Sequence, residues 1–259
     1  MRFLFTPSDL SPWVQSIWTW EAAASAQPEV LITPDACCEW VIHLDAPPLE
    51  WRDGIWCRQP RVFLYGQSRH ALALHTDQAM QMLSVRFHPH TAAAFFGVPG
   101  SELQALPIAF ADLSKTTSAM KWFNDIGDTG GVESIYSRLL VALRTLAKQA
   151  APPNPLTANA LQLIDAQTRA APSLRVAILA KQLHTSVRQL ERVFSRDVGL
   201  SPKFYSRISR VNYAQNLLTG SAHGLAEVAH RAGFADQSHF NREMLNFSGR
   251  TPAEFRSQA

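Results

Sequence analysis

The chain has 259 residues, 46% of them hydrophobic and 17% charged, with a net charge of +3; this is a globular composition, longer than the ~100 to 150 residues of one average domain. A mean hydropathy of −0.09 and the lack of an uninterrupted apolar run of ~18 residues exclude a membrane-spanning helix. The opening MRFLFTPSDL has neither an extended apolar stretch nor a small-residue cleavage site, so the expectation is a cytoplasmic protein without a secretion signal.

Residues 13–87 hold short apolar runs bounded by Pro, Asp and Gly: VQSIWTW (14–20), EWVIHL (39–44), RVFLYG (61–66), HALALH (70–75) and MQMLSVRF (80–87). Trp40, Ile42 and Leu44 alternate with period two, as do Met80, Met82, Leu83 and Val85 with one slip, while 14–20 alternates less cleanly. Strands this short and close predict a small barrel or sandwich. After Pro89 the pattern turns helical, through TAAAFFG (91–97), SELQAL from Ser101 and a stretch at 119–126. A longer helix is expected over 132–149, where Val132, Ile135, Leu139, Leu143 and Leu146 recur every three or four residues. That apolar stripe packs on its own domain or forms a dimer seam.

Little in this half points to catalysis. His88 and His90 flank a proline and, with His43, His70, His75 and Glu39, are the candidates for a metal site. No third ligand is fixed by spacing, so no metal or other cofactor is expected. Three cysteines, Cys37, Cys38 and Cys57, make no even disulfide framework and suit a reducing compartment. Trp18, Trp20, Trp40, Trp51, Trp56 and Tyr65 are core residues or the lining of an apolar pocket. Trp40, His43 and Arg86 are the pocket candidates.

A proline-rich stretch at 150–155 divides the chain into residues 1–150 and 156–259. Residues 156–259 carry 13 Lys+Arg against 7 Asp+Glu, a net of +6, while residues 1–155 carry 11 against 14, a net of −3. The basic half is the candidate for a polyanion.

That half repeats itself at an offset of 50, with Leu190 on Phe240, Arg192 on Arg242, Phe194 on Met244, Gly199 on Gly249, Pro202 on Pro252 and Tyr205 on Phe255. Each copy reads as a short helix with an alanine (Ala180, Ala229), a turn, a second helix, and a Gly-x-x-Pro stop. The alanine is what a helix-turn-helix needs, because a small residue lets the two helices cross closely. Four residues later come His184 and Gly233; glycine takes a left-handed turn freely, histidine at some cost. Ser186 and Asp236 are N-cap residues. Leu190, Val193, Phe194, Phe240 and Met244 face inward, leaving Arg188, Gln189, Arg192, Gln237, Ser238, His239, Asn241 and Arg242 outward. Arginine donates two hydrogen bonds to guanine, and Gln and Asn pair with adenine, so these residue types read DNA. Exposed arginines are usually just solvated, but two helices repeating the pattern in a basic half argue for a reader. The segment 201–218 is expected to be a rigid connecting helix, holding the readers ~34 Å apart for successive major grooves.

Residues 156–256 resemble the DNA-binding domain of the AraC/XylS family of bacterial transcription regulators. The match is strongest in AEVAHRAGFADQSHFNREMLNFSGRTPAEFR (226–256), and the first copy fits at Leu179, Ala180, Ser186, Leu190, Arg192, Phe194, Gly199, Pro202 and Arg210. His184 stands where the family usually has Gly, and Met244 where it has Phe; Met fills an aromatic-sized gap well. The resemblance implies seven helices with two helix-turn-helix motifs, promoter DNA and RNA polymerase as partners, and DNA contacts at Arg188, Gln189, Arg192, Gln237, Ser238, His239 and Arg242. Such regulators commonly carry a cupin-like barrel with helices as sensor. PDACCEWVIHL (34–44), YGQ (65–67) and VRFHPHTAAAFFGVPGSEL (85–103) are similar to an uncharacterised N-terminal domain found on them, with Ala36 and His90 replacing two of its glycines.

The expected fold is thus an α+β cupin-like barrel or sandwich with helices, followed by an all-α domain. The expected function is a sequence-specific regulator controlled by a small-molecule effector or by homodimerisation, with no catalytic residues. The alternatives are a DNA-tethered enzyme, as a metal-dependent cupin or a cysteine alkyl-acceptor, and a dimeric DNA-binding protein that senses nothing.

Overall fold

The computed structural model describes residues 1–23, 30–103, 107–109, 131–170 and 175–257. Its first half is built on two antiparallel sheets. One has six strands in the order β1 (Arg2–Leu4), β2 (Val14–Ala22), β9 (Met80–Phe87), β4 (Glu39–His43), β7 (Val62–Tyr65) and β10 (Pro107–Ala109). The other has four, β3 (Val30–Ile32), β8 (Leu72–His75), β5 (Leu49–Arg52) and β6 (Ile55–Arg58). Strand β4 lies between β9 and β7 with both faces buried. Its alternation therefore separates two apolar environments: Trp40 and Ile42 join a core with the helices, while Val41 joins Trp18, Phe63, Met80 and Met82 on the other face.

On the first face lie α1 (Ala92–Phe96) and α2 (Gly131–Ala147). Ile135, Leu139, Ala142, Leu143 and Leu146 of α2 are buried against Trp40, Ile42, Leu83, Val85 and Phe87. The stripe expected over 132–149 thus packs on its own sheet, and each Leu or Ile so buried contributes about 1.5–3 kcal/mol. Of the helix expected from Ser101, the described part is a single 3-10 turn, Gly100–Glu102, entered from Pro99, and residues 104–106 lie outside the described residues. The segment 119–126, also expected to be helical, lies outside the described residues.

The second half shows seven helices among the described residues: α3 (Pro155–Ala170), α4 (Val176–Gln182), α5 (Val187–Asp197), α6 (Pro202–Gly220), α7 (Leu225–Arg231), α8 (Gln237–Ser248) and α9 (Pro252–Ser257). No described helix is long and apolar enough to cross a membrane. Ala180 and Ala229 are each 2% exposed, which is what lets α5 cross α4 and α8 cross α7. The turns between them are left-handed, with φ of 50° at His184 and 73° at Gly233. Ser186 Oγ then accepts from Gln189 N at 3.1 Å and Asp236 Oδ1 from His239 N at 2.7 Å, starting the second helix of each motif. Helix α6, capped by Ser201 with Pro202 in its first turn, buries Ile208, Val211, Ala214 and Leu218. Arg207 of α6 grips Glu243 of α8 through two hydrogen bonds of 2.9 Å and lies over the rings of Phe204 and Phe247.

The halves meet closely. Ala36 of the first half is 1% exposed and belongs to the helical core, beside residues of α3 and α6. Gln215 Nε2 of α6 donates to Thr33 Oγ1 at 3.0 Å, and Arg69 stands over the Phe204 ring, 5.2 Å from its centre. The 3-10 turn at Gly100 abuts the end of α5 at Gly199.

Candidate functional site

Two surfaces carry chemistry. The first is the outer side of α5 and α8. Arg188 and Arg192 are exposed and Gln189 half-buried on α5, where Arg192 Nη2 donates to Gln189 Oε1 at 2.8 Å. On α8, Gln237, Ser238 and Arg242 are exposed. His239 is half-buried, with its ring edge-on to Phe234 and its Nδ1 accepting from Ala235 N at 3.4 Å. Asn241, expected to project, is half-buried as well, and its Oδ1 is enclosed by protein. Each second helix thus presents two or more polar side chains of base-reading type from its first two turns, anchored from below by a buried aromatic, Phe194 or Phe240.

The second surface is a cavity of about 320 Å3 between the two sheets. Phe63 and Met82 from the six-stranded sheet and Leu72 and Leu74 from the four-stranded one supply apolar walls, with Trp18, Trp20 and Tyr65. At one end stand Asp35, Glu39 and Arg86. Glu39 and Arg86 are direct cross-strand neighbours on β4 and β9. Arg86 Nη2 lies 2.7 Å from Glu39 Oε1 and 2.7 Å from Asp35 Oδ2. Ser84 Oγ donates to the second Glu39 oxygen at 2.7 Å, and Cys37 N donates to Asp35 Oδ1 at 2.9 Å. Burial pushes the Glu39 carboxyl up despite the neighbouring Arg86.

Of the three residues expected to line a pocket, Arg86 does so. Trp40 is on the opposite face of β4, 0% exposed, with its ring edge-on to Phe96. His43 is on the cavity face of β4 but sealed, 1% exposed. Its Nε2 donates to Gln59 Oε1 at 3.1 Å, because Gln59 Nε2 is committed to Glu50 Oε2 at 2.8 Å. Burial holds its pKa down to about 4, so the ring is neutral at physiological pH. Asp35, Phe63 and Met82 were not anticipated, and Glu39 only as a metal ligand; Glu39 opposite Arg86 on the next strand is the one pairing that knowledge of the sheet order would have revealed.

Asp35 and Cys37 also line a second hollow, a polar cleft of about 380 Å3 between the halves, with Asp165, Tyr205 and Ser209 on its helical side. Tyr205 Oη donates to Asp165 Oδ2 at 3.2 Å and Ser209 Oγ to Asp165 Oδ1 at 2.7 Å. Asp35 and Cys37 are therefore a wall shared by cavity and cleft. Other chemistry is weakly supported. Burial raises both adjacent thiols, Cys38 to about 12, so neither is a thiolate at neutral pH. His88 Nε2 donates to Ser11 O at 3.0 Å, and burial lowers His90 to about 4. Among the described residues no group of three or more His, Cys, Asp or Glu is placed to hold a metal ion.

Comparison with known proteins finds a family match in each half. Residues 179–258 match a helix-turn-helix domain family, and residues 4–108 match a domain of unknown function, DUF6597. Among curated proteins the chain is 30% identical over 130 residues to the HTH-type transcriptional activator RhaS of Escherichia coli strain SE11, covering 49% of this chain and 47% of RhaS. The chain thus spans about half the length of the curated relatives it matches. Among solved structures, ToxT from Vibrio cholerae O395 aligns over 93% of this chain and 96% of its own at 11% identity, with a TM-score of 0.51; the overall fold is shared. A regulator with an AraC-type DNA-binding domain from Chromobacterium violaceum is 30% identical over 40% of this chain and 91% of its own, with a TM-score of 0.38.

Proposed function

We propose that the chain, which joins a match to a helix-turn-helix domain family to a match to a domain of unknown function, is an AraC-type, sequence-specific transcription regulator that binds promoter DNA. The observation that carries this is the pair of capped helices, α5 and α8, each presenting exposed arginine and amide or hydroxyl side chains from a fixed turn. Arg188, Gln189, Arg192, Gln237, Ser238, His239 and Arg242 are the DNA contacts of this reading, in two successive major grooves. Residues 156–259 act as the reader and 1–150 as the sensor, and the DNA-bound protein works by contacting RNA polymerase.

Control comes from a small molecule in the cavity between the sheets, where Arg86 is one of the binding groups. Its occupancy reaches the reader through residues 33–38, since a shift of Asp35 moves the segment that seats Ala36 in the helical core and Thr33 on Gln215. The α2 stripe is engaged within its own domain, so dimerisation through that stripe is not favoured.

Selection of fragmented genomic DNA on the full-length protein tests the reading, with an Arg192→Ala/Arg242→Ala variant alongside. Enrichment of a motif with two half-sites about one helical turn apart, lost in the variant, supports it. Fragments retained without a common motif, or retained equally by the variant, overturn it.

A further inference from the structure

Resting on the reading of the cavity as the ligand site of the sensor, we propose that its ligand is an organic cation, an amine on an apolar or aromatic body. Two carboxylates and one guanidinium line the cavity, and Arg86 lies 2.7 Å from an oxygen of each acid. The three groups together keep one negative charge. A carboxylate ligand finds no unpaired side-chain cation among the described lining residues and has to displace an acid from Arg86. An ammonium group instead completes the set, as a second cation for two acids.

The acids are within reach of such a group, with side chains 34% exposed at Asp35 and 17% at Glu39. Their hydrogen bonds to Arg86, Ser84 Oγ and Cys37 N hold both carboxylates in place ahead of binding, which lowers the ordering cost. The walls suit the same class. Trp18, Trp20, Phe63 and Tyr65 offer aromatic rings, whose negative faces attract a cation within ~6 Å. Leu72 and Leu74 close the opposite side over the ligand's apolar body. A volume of about 320 Å3 sits at the small end of ligand pockets, so the body is the size of one or two rings. Asp35, which the ammonium engages, belongs to the wall shared with the interdomain cleft, and this places recognition and transmission on one residue.

The test is calorimetric titration of the full-length protein with phenylpropylamine, phenylpropanol and phenylpropionate, which share a body and differ in charge. The amine is expected to bind on the order of tenfold more tightly than the alcohol, with the acid weakest. In an Asp35→Asn/Glu39→Gln variant, which leaves Arg86 without its acids, the amine should lose its advantage over the alcohol and the acid should gain on both. In the unaltered protein, an acid that binds as well as the amine, equal binding of all three, or binding of none overturns the assignment. A variant whose thermal midpoint shows unfolding is set aside, and the ranking by the unaltered protein then decides. DNA selection on the same preparation separates the two readings: a motif enriched without amine binding leaves the regulator standing and removes only the ligand class.

Discussion

Gly100 and Gly199 meet backbone to backbone where the 3-10 turn of the strand half abuts the end of α5: a methyl group on Gly100 would stand 2.5 Å from Gly199 N, and one on Gly199 would run into the Gly100 carbonyl. Gly199 also has φ of +79°, a region in which other residues are strained. Gly199→Ala is therefore expected to lose about 2–4 kcal/mol, from overpacking and backbone strain together. Thermal or urea unfolding of the full-length protein measures it. A loss below about 0.5 kcal/mol, within the range of an ordinary surface change, would show that the two halves do not dock this way.

His184 makes the first turn left-handed with φ of 50°, where Gly233 makes the second. Its side chain is exposed, so replacing it removes strain and little packing. His184→Gly should stabilise by about 0.5–1 kcal/mol, the strain relieved less the entropy that glycine adds to the unfolded chain. The midpoint of denaturant unfolding at constant slope reads this directly.

Glu243 links α8 to α6. Burial pushes its carboxyl up, but the hydrogen bonds and charge of Arg207, with His239 and Arg210, outweigh burial and hold it below its ordinary value of 4.5. A carboxyl depressed in the folded state stabilises above its unfolded pKa, and that contribution is lost as pH falls through the lower folded value. Glu243→Gln should thus cost about 1.5–3 kcal/mol at neutral pH, and the gap to the unaltered protein should narrow as pH drops below 4.5. A gap that is flat with pH would mean that the ion pair contributes nothing.

On DNA, Arg242→Ala is expected to weaken specific binding by about 1–3 kcal/mol and to relax preference at one base position. Unchanged preference would assign Arg242 to the phosphates. Affinity should also fall steeply with salt, and a phosphate-binding arginine replaced by alanine should reduce that slope by about one. Competition binding at several salt concentrations separates the two outcomes.

The helix-turn-helix pairs were legible because their determinants are local: a cap, an alanine and a turn residue within one stretch of chain. The sheets were half legible. The five apolar runs became β2, β4, β7, β8 and β9, whereas β1, β3 and β10 have three residues each, too few for an alternation to register, and β5 and β6 mix apolar residues with Glu50, Arg52 and Arg58 and so form no apolar run. Period two places Trp40 and Val41 on opposite faces of β4, yet both faces are buried, so nothing in the pattern says which one meets the cavity. Glu39 and Arg86 come together because β9 lies beside β4, a pairing of strands distant in sequence. The departures from glycine at Ala36 and His184 were visible, and both residues keep a left-handed backbone, with φ of 63° and 50°.

The seat of Ala36 bears on how such proteins are recombined. The proline-rich stretch at 150–155 looks like the natural point at which to exchange one sensor for another, yet the helical core includes Ala36, more than a hundred residues earlier. Leu31 lies against Gly249 as well. A hybrid cut at the prolines leaves apolar flanks of the helical half open to water unless the incoming sensor brings its own plug. The breakpoint that preserves the fit runs through the strand half, retaining residues 31–37 with the helices they close.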